Sequence, residues 1–146
     1  MLKKIIATGI IFYILGCSTP GEVTLESRNI SLTQLQKMVI GALPLGQKDE
    51  SLNGRDYKSK YFLPQKGTFV EAPNTSKRYQ AMISILGDRR PYKISVRVDV
   101  EGRRPDGTYA LLKHDEGLAH VIIRRIQSTL NKRRDNRNVI DDFHAF

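Results

Sequence analysis

The side chains in this 146-residue chain that could do covalent or metal chemistry are few: one cysteine, Cys17, and three histidines, His114, His120 and His144. Two histidines that hold zinc from one helix face sit at i and i+4, whereas His114 and His120 are six apart, and no metal motif is present. Ser31 reads as a helix cap, and neither a glycine-rich phosphate cradle nor a serine-centred nucleophile elbow occurs. The carboxylates of Asp88-Arg89-Arg90 and of Asp141-Asp142 lie in basic stretches and read as surface pairs and turns. Two carboxylates that meet only in space, as in a glycosidase, would leave no mark in sequence. The expectation is a non-catalytic protein with no cofactor and no metal.

Charge is the second source of chemistry. The formal net charge is +9, and a field of that strength attracts anions without choosing among them. Arg89, Arg90, Lys93, Arg97, Arg103 and Arg104 form the candidate anion-binding set. If residues 90–103 stay extended, at about 3.3 Å per residue, the pairs Arg89-Arg90 and Arg103-Arg104 stand roughly 45 Å apart. They are therefore expected to act as separate contacts along an extended anionic surface and not to clamp one small ligand.

Cys17 is explained by what precedes it. Lys3 and Lys4 open the chain, Ile5 to Leu15 carry no charge, and Gly16 stands directly before the thiol. The eleven apolar residues would make a helix of roughly 16 Å, about half a hydrocarbon core, which suits an export signal and not a membrane span. Ile14-Leu15-Gly16-Cys17 resembles the lipobox of bacterial lipoproteins, with Leu15 where a small residue is common. The resemblance covers residues 1–17. It implies cleavage between Gly16 and Cys17, a diacylglycerol on the thiol and an acylated new amino terminus. A lone exported thiol cannot close an internal disulfide, and several acyl chains give stable anchoring where one gives marginal binding.

This divides the chain into a signal peptide at 1–16, an acylated cysteine and tether at 17–22, and one domain at 23–146. The mature part keeps 22 basic residues against 15 acidic ones, a balance of +7, so the basicity belongs to the domain. Ser18 stands where an aspartate commonly marks inner-membrane retention, so the resemblance implies the periplasmic side of the outer membrane in a Gram-negative cell. Export also argues against nucleic acid as the partner. The anions met there are lipopolysaccharide, phospholipid headgroups and wall polymers.

The elements that must position these groups follow from periodicity. Ser31 to Gln34 reads as a capping box with Ile30 as staple, and Leu32, Leu35, Met38, Val39 and Ala42 follow on one helical face that Gly41 and Pro44 bring to an end. Arg55 to Leu63 alternates as a strand, and Gly46–Gly54 and Pro64–Asn74 read as polar lead-in and loop, with Phe69 and Val70 in the latter either folding back onto the core or forming a contact point for a partner or the bilayer. Tyr79, Ala81, Ile83 and Ile85, then Tyr92, Ile94, Val96, Val98 and Val100, form the apolar side of a hairpin turned at Gly87–Arg90, and the opposite side holds Lys93 and Arg97. A short strand at 108–113 precedes a helix from Asp115, striped by Ala119, Ile122, Ile126 and Leu130 and ending near Lys132-Arg134. Val139, Ile140, Phe143 and Phe146 suggest a tail that packs.

Helix, about four strands, helix predicts a two-layer α+β domain, with two helices on one face of an antiparallel sheet. In anchor, size and element order it is similar to small outer-membrane assembly lipoproteins, including the one that helps deliver lipopolysaccharide. By that analogy the chain is a membrane-anchored accessory factor. It would dock on an envelope protein complex through its sheet edge, the Gln65–Lys77 segment or its tail. The alternative is a binder of an anionic envelope polymer or lipid through the six cations.

Overall fold

The structure, a computed structural model, describes residues 20–27 and 30–141, with side chains as far as Arg133. Gly16, Cys17 and the expected signal peptide lie outside the described residues, as do Phe143, His144 and Phe146. The elements are β1 (Glu22–Ser27), α1 (Leu32–Ala42), β2 (Gln47–Glu50), β3 (Asp56–Ser59), β4 (Phe62–Gln65), β5 (Thr68–Glu71), β6 (Lys77–Leu86), β7 (Tyr92–Arg103), β8 (Tyr109–His114) and α2 (Glu116–Asp141).

The β6–β7 hairpin is the spine. Its register runs unbroken from Lys77 opposite Gly102 to Leu86 opposite Lys93. With a side-chain period of two, Ala81, Ile83, Ile85, Tyr92, Ile94, Val96, Val98 and Val100 fall on one face, and all are buried. The outer edge of β7 is shared end to end. β1 pairs along 92–97 and β8 along 99–103. On the other side β6 carries β3 at 82–84 and β4 at Tyr79, with β2 outside β3 and β5 outside β4.

The sheet thus has eight antiparallel strands, where the sequence predicts about four. Arg55–Leu63 cannot be one strand, because Ser59 and Phe62 are both fully buried and residues three apart in a strand face opposite ways. The chain breaks at Lys60-Tyr61, and the break is pinned to β6: Ala81 N–H donates to Ser59 Oγ at 2.9 Å, and Gln80 Nε2 donates to Ser59 O at 3.0 Å. The lead-in contains β2. The β4–β5 hairpin starts at the end of the expected strand and fills most of the expected loop, and its turn residues Lys66 and Gly67 take φ of 42° and 84°, the left-handed pair that two-residue hairpins favour. Phe69 does fold back, packing edge-on against Phe62 at 4.9 Å.

Both helices cover the apolar sheet face, giving two layers as expected. Ser31 Oγ accepts from Gln34 N–H at 3.3 Å and Asp115 Oδ1 from Leu118 N–H at 3.0 Å, so each helix starts at its sequence-marked cap. Leu35, Met38, Val39 and Ala42 of α1 and Ala119, Ile122, Ile123 and Ile126 of α2 join the strand residues in one core. Each large aliphatic side chain so buried stabilises the fold by about 1.5–3 kcal/mol before chain entropy is counted. The second helix runs past Lys132-Arg134 to Asp141, so Val139 and Ile140 belong to its backbone and not to a separate tail.

Candidate functional site

With both helices on one side, the other sheet face carries the polar side chains of the spine. Glu22 lies opposite Arg97 in the register, Thr24 opposite Ser95 and Glu26 opposite Lys93. A set of buried and half-buried groups knits this face together. Arg97 Nε donates to Asp99 Oδ1 at 2.9 Å, its Nη2 reaches Met82 Sδ at 3.1 Å, and His114 Nδ1 stands 2.9 Å from the same Asp99 oxygen. Ser95 Oγ donates to Glu22. Arg97 is thus a fixed member of a network, one-third exposed, and not the freely solvated cation its alternation suggests.

The second feature of this face is absent from the sequence reading. The Arg78 guanidinium lies between the rings of Tyr61 and Tyr109, 3.6 Å from each centre, and bonds Glu101 Oε2 at 2.7 Å. Tyr109 Oη donates to the carbonyl of Thr75 at 2.7 Å, and Lys48 Nζ lies 4.2 Å from the Tyr61 ring centre. Arg78 and Glu101 keep only 22% and 21% of their side chains exposed, so the ion pair and both stacks work in a partly desolvated setting.

The six candidate cations are not brought together. Arg89 and Arg90 are exposed in the β6–β7 turn, Lys93 is exposed on the open face, and Arg103 and Arg104 are exposed at the far end of β7. Because β7 stays extended over twelve residues, the two arginine pairs are separated by about 40 Å. Arg103 and Arg104 line an open hollow of about 500 Å³ with Ser76, Pro105 and Gly107. A second hollow of about 380 Å³ lies between the helices, lined by Lys37, Met38, Gly41, Ala42, Arg125, Thr129 and Arg133. Arg125 there is stacked over Phe69, 4.5 Å from its ring centre.

His120 is exposed on α2, apart from His114. Among the described residues no group of three or more histidine, cysteine or carboxylate side chains is placed to hold a metal ion, and no helix is long and apolar enough to cross a membrane. What the open face offers is a surface of alternating charge with two fixed aromatic rings. No known protein family and no curated protein matches the chain.

Proposed function

We propose that the protein is an exported, lipid-anchored, non-catalytic accessory protein of the cell envelope whose open sheet face docks on a partner protein. The anchor rests on the pattern of residues 1–17, with Cys17 acylated and, in a Gram-negative cell, the outer membrane as its address. Docking rests on one observation: two cations of the open face lie against carboxylates and rings, Arg97 on Asp99 and Arg78 on Glu101 between Tyr61 and Tyr109. Charges paired at such short range leave little single-sign field for a polymer to follow. A partly buried surface rich in tyrosine and arginine suits a protein contact, where complementary charge sets register.

The test is photo-crosslinking in cells from Thr24 and Lys93 on the open face, beside a Cys17→Ser chain. Discrete crosslinked bands at both face positions, together with fatty-acid labelling that Cys17→Ser abolishes, are expected. Labelling unchanged in Cys17→Ser would refute the anchor, and absence of any crosslink from the face would refute docking. The hollow beside Arg103 and Arg104 favours a second reading, binding of an anionic polymer or lipid. Such binding weakens steeply with ionic strength, whereas a compensated face does not.

A further inference from the structure

Gly21 and Glu22, read from sequence as the end of the tether, are part of the fold. Gly21 is buried, and a Cβ placed on it would lie 2.3 Å from Cβ of His114, so its backbone runs against the end of β8. Only Ser18, Thr19 and Pro20 separate Gly21 from Cys17. At no more than about 3.6 Å per residue, the Cys17 Cα lies within roughly 14 Å of Gly21 by any path.

The outer edge of β8 lies within the same reach. Leu112 is two residues, or roughly 7 Å, beyond His114 along the strand. Leu111 and Leu112 are 54% and 59% exposed, two of the four large apolar side chains left exposed among the described residues. No described strand pairs with this edge of β8. Over residues 103–113 the leucines are flanked by Arg103, Arg104 and the exposed Lys113, against the one carboxylate of Asp106. An exposed apolar edge strand normally invites pairing with other chains, and natural proteins cover or charge such edges. Leucines at the level of cations are also the composition of a segment lying in a membrane interface.

We propose that the β8 edge is a second, non-covalent membrane contact. Leu111 and Leu112 enter the boundary between headgroups and acyl chains of an anionic leaflet, and Arg103, Arg104 and Lys113 lie among the phosphates. This rests on acylation of Cys17. Two leucines alone are too weak to hold a protein on a bilayer, but the three-residue tether keeps them at the surface, so their insertion is an intramolecular step at high effective concentration.

Because Cys17 is the chain's only cysteine, an introduced thiol is the sole free one once Cys17 is acylated. The experiment places a nitroxide on Leu111→Cys, Leu112→Cys or Leu52→Cys in the full acylated chain, reconstituted in vesicles of phosphatidylglycerol and phosphatidylethanolamine. Collision with oxygen and with a water-soluble nickel chelate is then read. Leu52 is fully exposed in the β2–β3 turn on the opposite side of the sheet and reports bulk water. Labels at 111 and 112 should show a several-fold higher oxygen-to-nickel ratio than the label at 52, and lose it when the chain is moved to detergent-free nanodiscs of neutral lipid in high salt. Nickel access equal to that at 52 overturns the proposal, and so does shielding from both reagents, which would mean that protein covers the edge. If the unsubstituted chain itself takes up the thiol reagent and fails to float with vesicles, the anchor reading has failed and the proposal with it. That outcome is separable from a failure of the edge alone.

Discussion

Gly21→Ala tests whether the chain entering β1 packs against the body of the domain, and its cost follows from the geometry around Gly21. Gly21 has φ +79°, where a side chain costs roughly 1 kcal/mol. The new Cβ would also lie 2.3 Å from Cβ of His114, against an ordinary carbon–carbon contact of about 3.5–4.0 Å. Neither atom is the free end of a flexible chain, so the start of β1 must retreat by more than 1 Å, by that same contact distance. Retreat weakens the Glu22–Arg97 rung and the bond from Ser95 to Glu22, at about 1 kcal/mol for each hydrogen bond lost. The total is about 2–4 kcal/mol by these terms. Gly46→Ala is the control, because Gly46 has φ +86° with nothing within 4 Å, and should cost only the conformational share of about 1 kcal/mol. Gly41→Ala, in the last turn of α1 with open space around it, should stabilise by up to about 0.5–1 kcal/mol. Urea unfolding of the solubilised chain, with m checked for constancy, reads all three. Equal losses from Gly21→Ala and Gly46→Ala would refute the packing of Gly21 on β8 and remove the geometric basis for the membrane edge.

Val96→Asp puts a charge at a fully buried position and should cost about 3–5 kcal/mol, whereas Arg97→Asp, one residue along but on the open face, should cost about 1–2 kcal/mol by setting carboxylates beside Asp99 and opposite Glu22; similar urea midpoints for both would mean the faces are wrongly assigned. Arg78→Lys keeps the charge but loses the planar stack, so it should cost about 1–2 kcal/mol, and less in a Tyr61→Leu background, with additive losses in the double-mutant cycle sinking the cage. Burial, and then the nearby Glu50 carboxylate, push the Tyr57 phenol above its ordinary value of 10.0. Its contribution is fully present below pH 10 and lost as pH rises through the raised value, so the chain should weaken in alkali and Tyr57→Phe should flatten that decline. An unchanged alkaline slope in Tyr57→Phe would assign the decline elsewhere.

Elements were legible where one face alone meets the core. The β6–β7 spine shows pure alternation because helices cover one side and water or polar neighbours the other, and α1 begins where Ser31 says it should. β2 was not legible because Gln47–Glu50 has no buried residue to mark it; it forms because β3 offers a free edge. In β4–β5, Pro64 and Gly67 read as breakers, yet Pro64 pairs with Phe69 inside the hairpin, Gly67 is in its turn, and its apolar residues Phe62 and Phe69 reach the core. The Arg78 cage left no local signal, since its partners at 61, 101 and 109 come from the break between β3 and β4, from β7 and from β8. Charge itself is visible in a sequence, but compensation is not. Lys93 and Arg97 look alike as alternating cations, and only the register and the Asp99 bond distinguish the exposed one from the fixed one.

The anchor, the edge and the open face constrain one another. If the β8 edge lies on the bilayer, β7 beside it runs nearly parallel to the membrane, one strand spacing of about 4.8 Å further in. Arg89-Arg90 and Arg103-Arg104 then stand at similar heights about 40 Å apart, each pair within reach of headgroups through its own long side chains. The two readings of the basic surface would then be compatible: the arginines at the ends of the spine would meet an anionic leaflet, and the compensated residues between them, Arg97 and Arg78, would be turned sideways with the open face toward a neighbouring protein. Added salt should therefore loosen the hold on the membrane while leaving the protein contact in place. Loss of both together with rising salt would mean that one electrostatic surface does both jobs and that Arg97 and Arg78 are not neutralised by their partners.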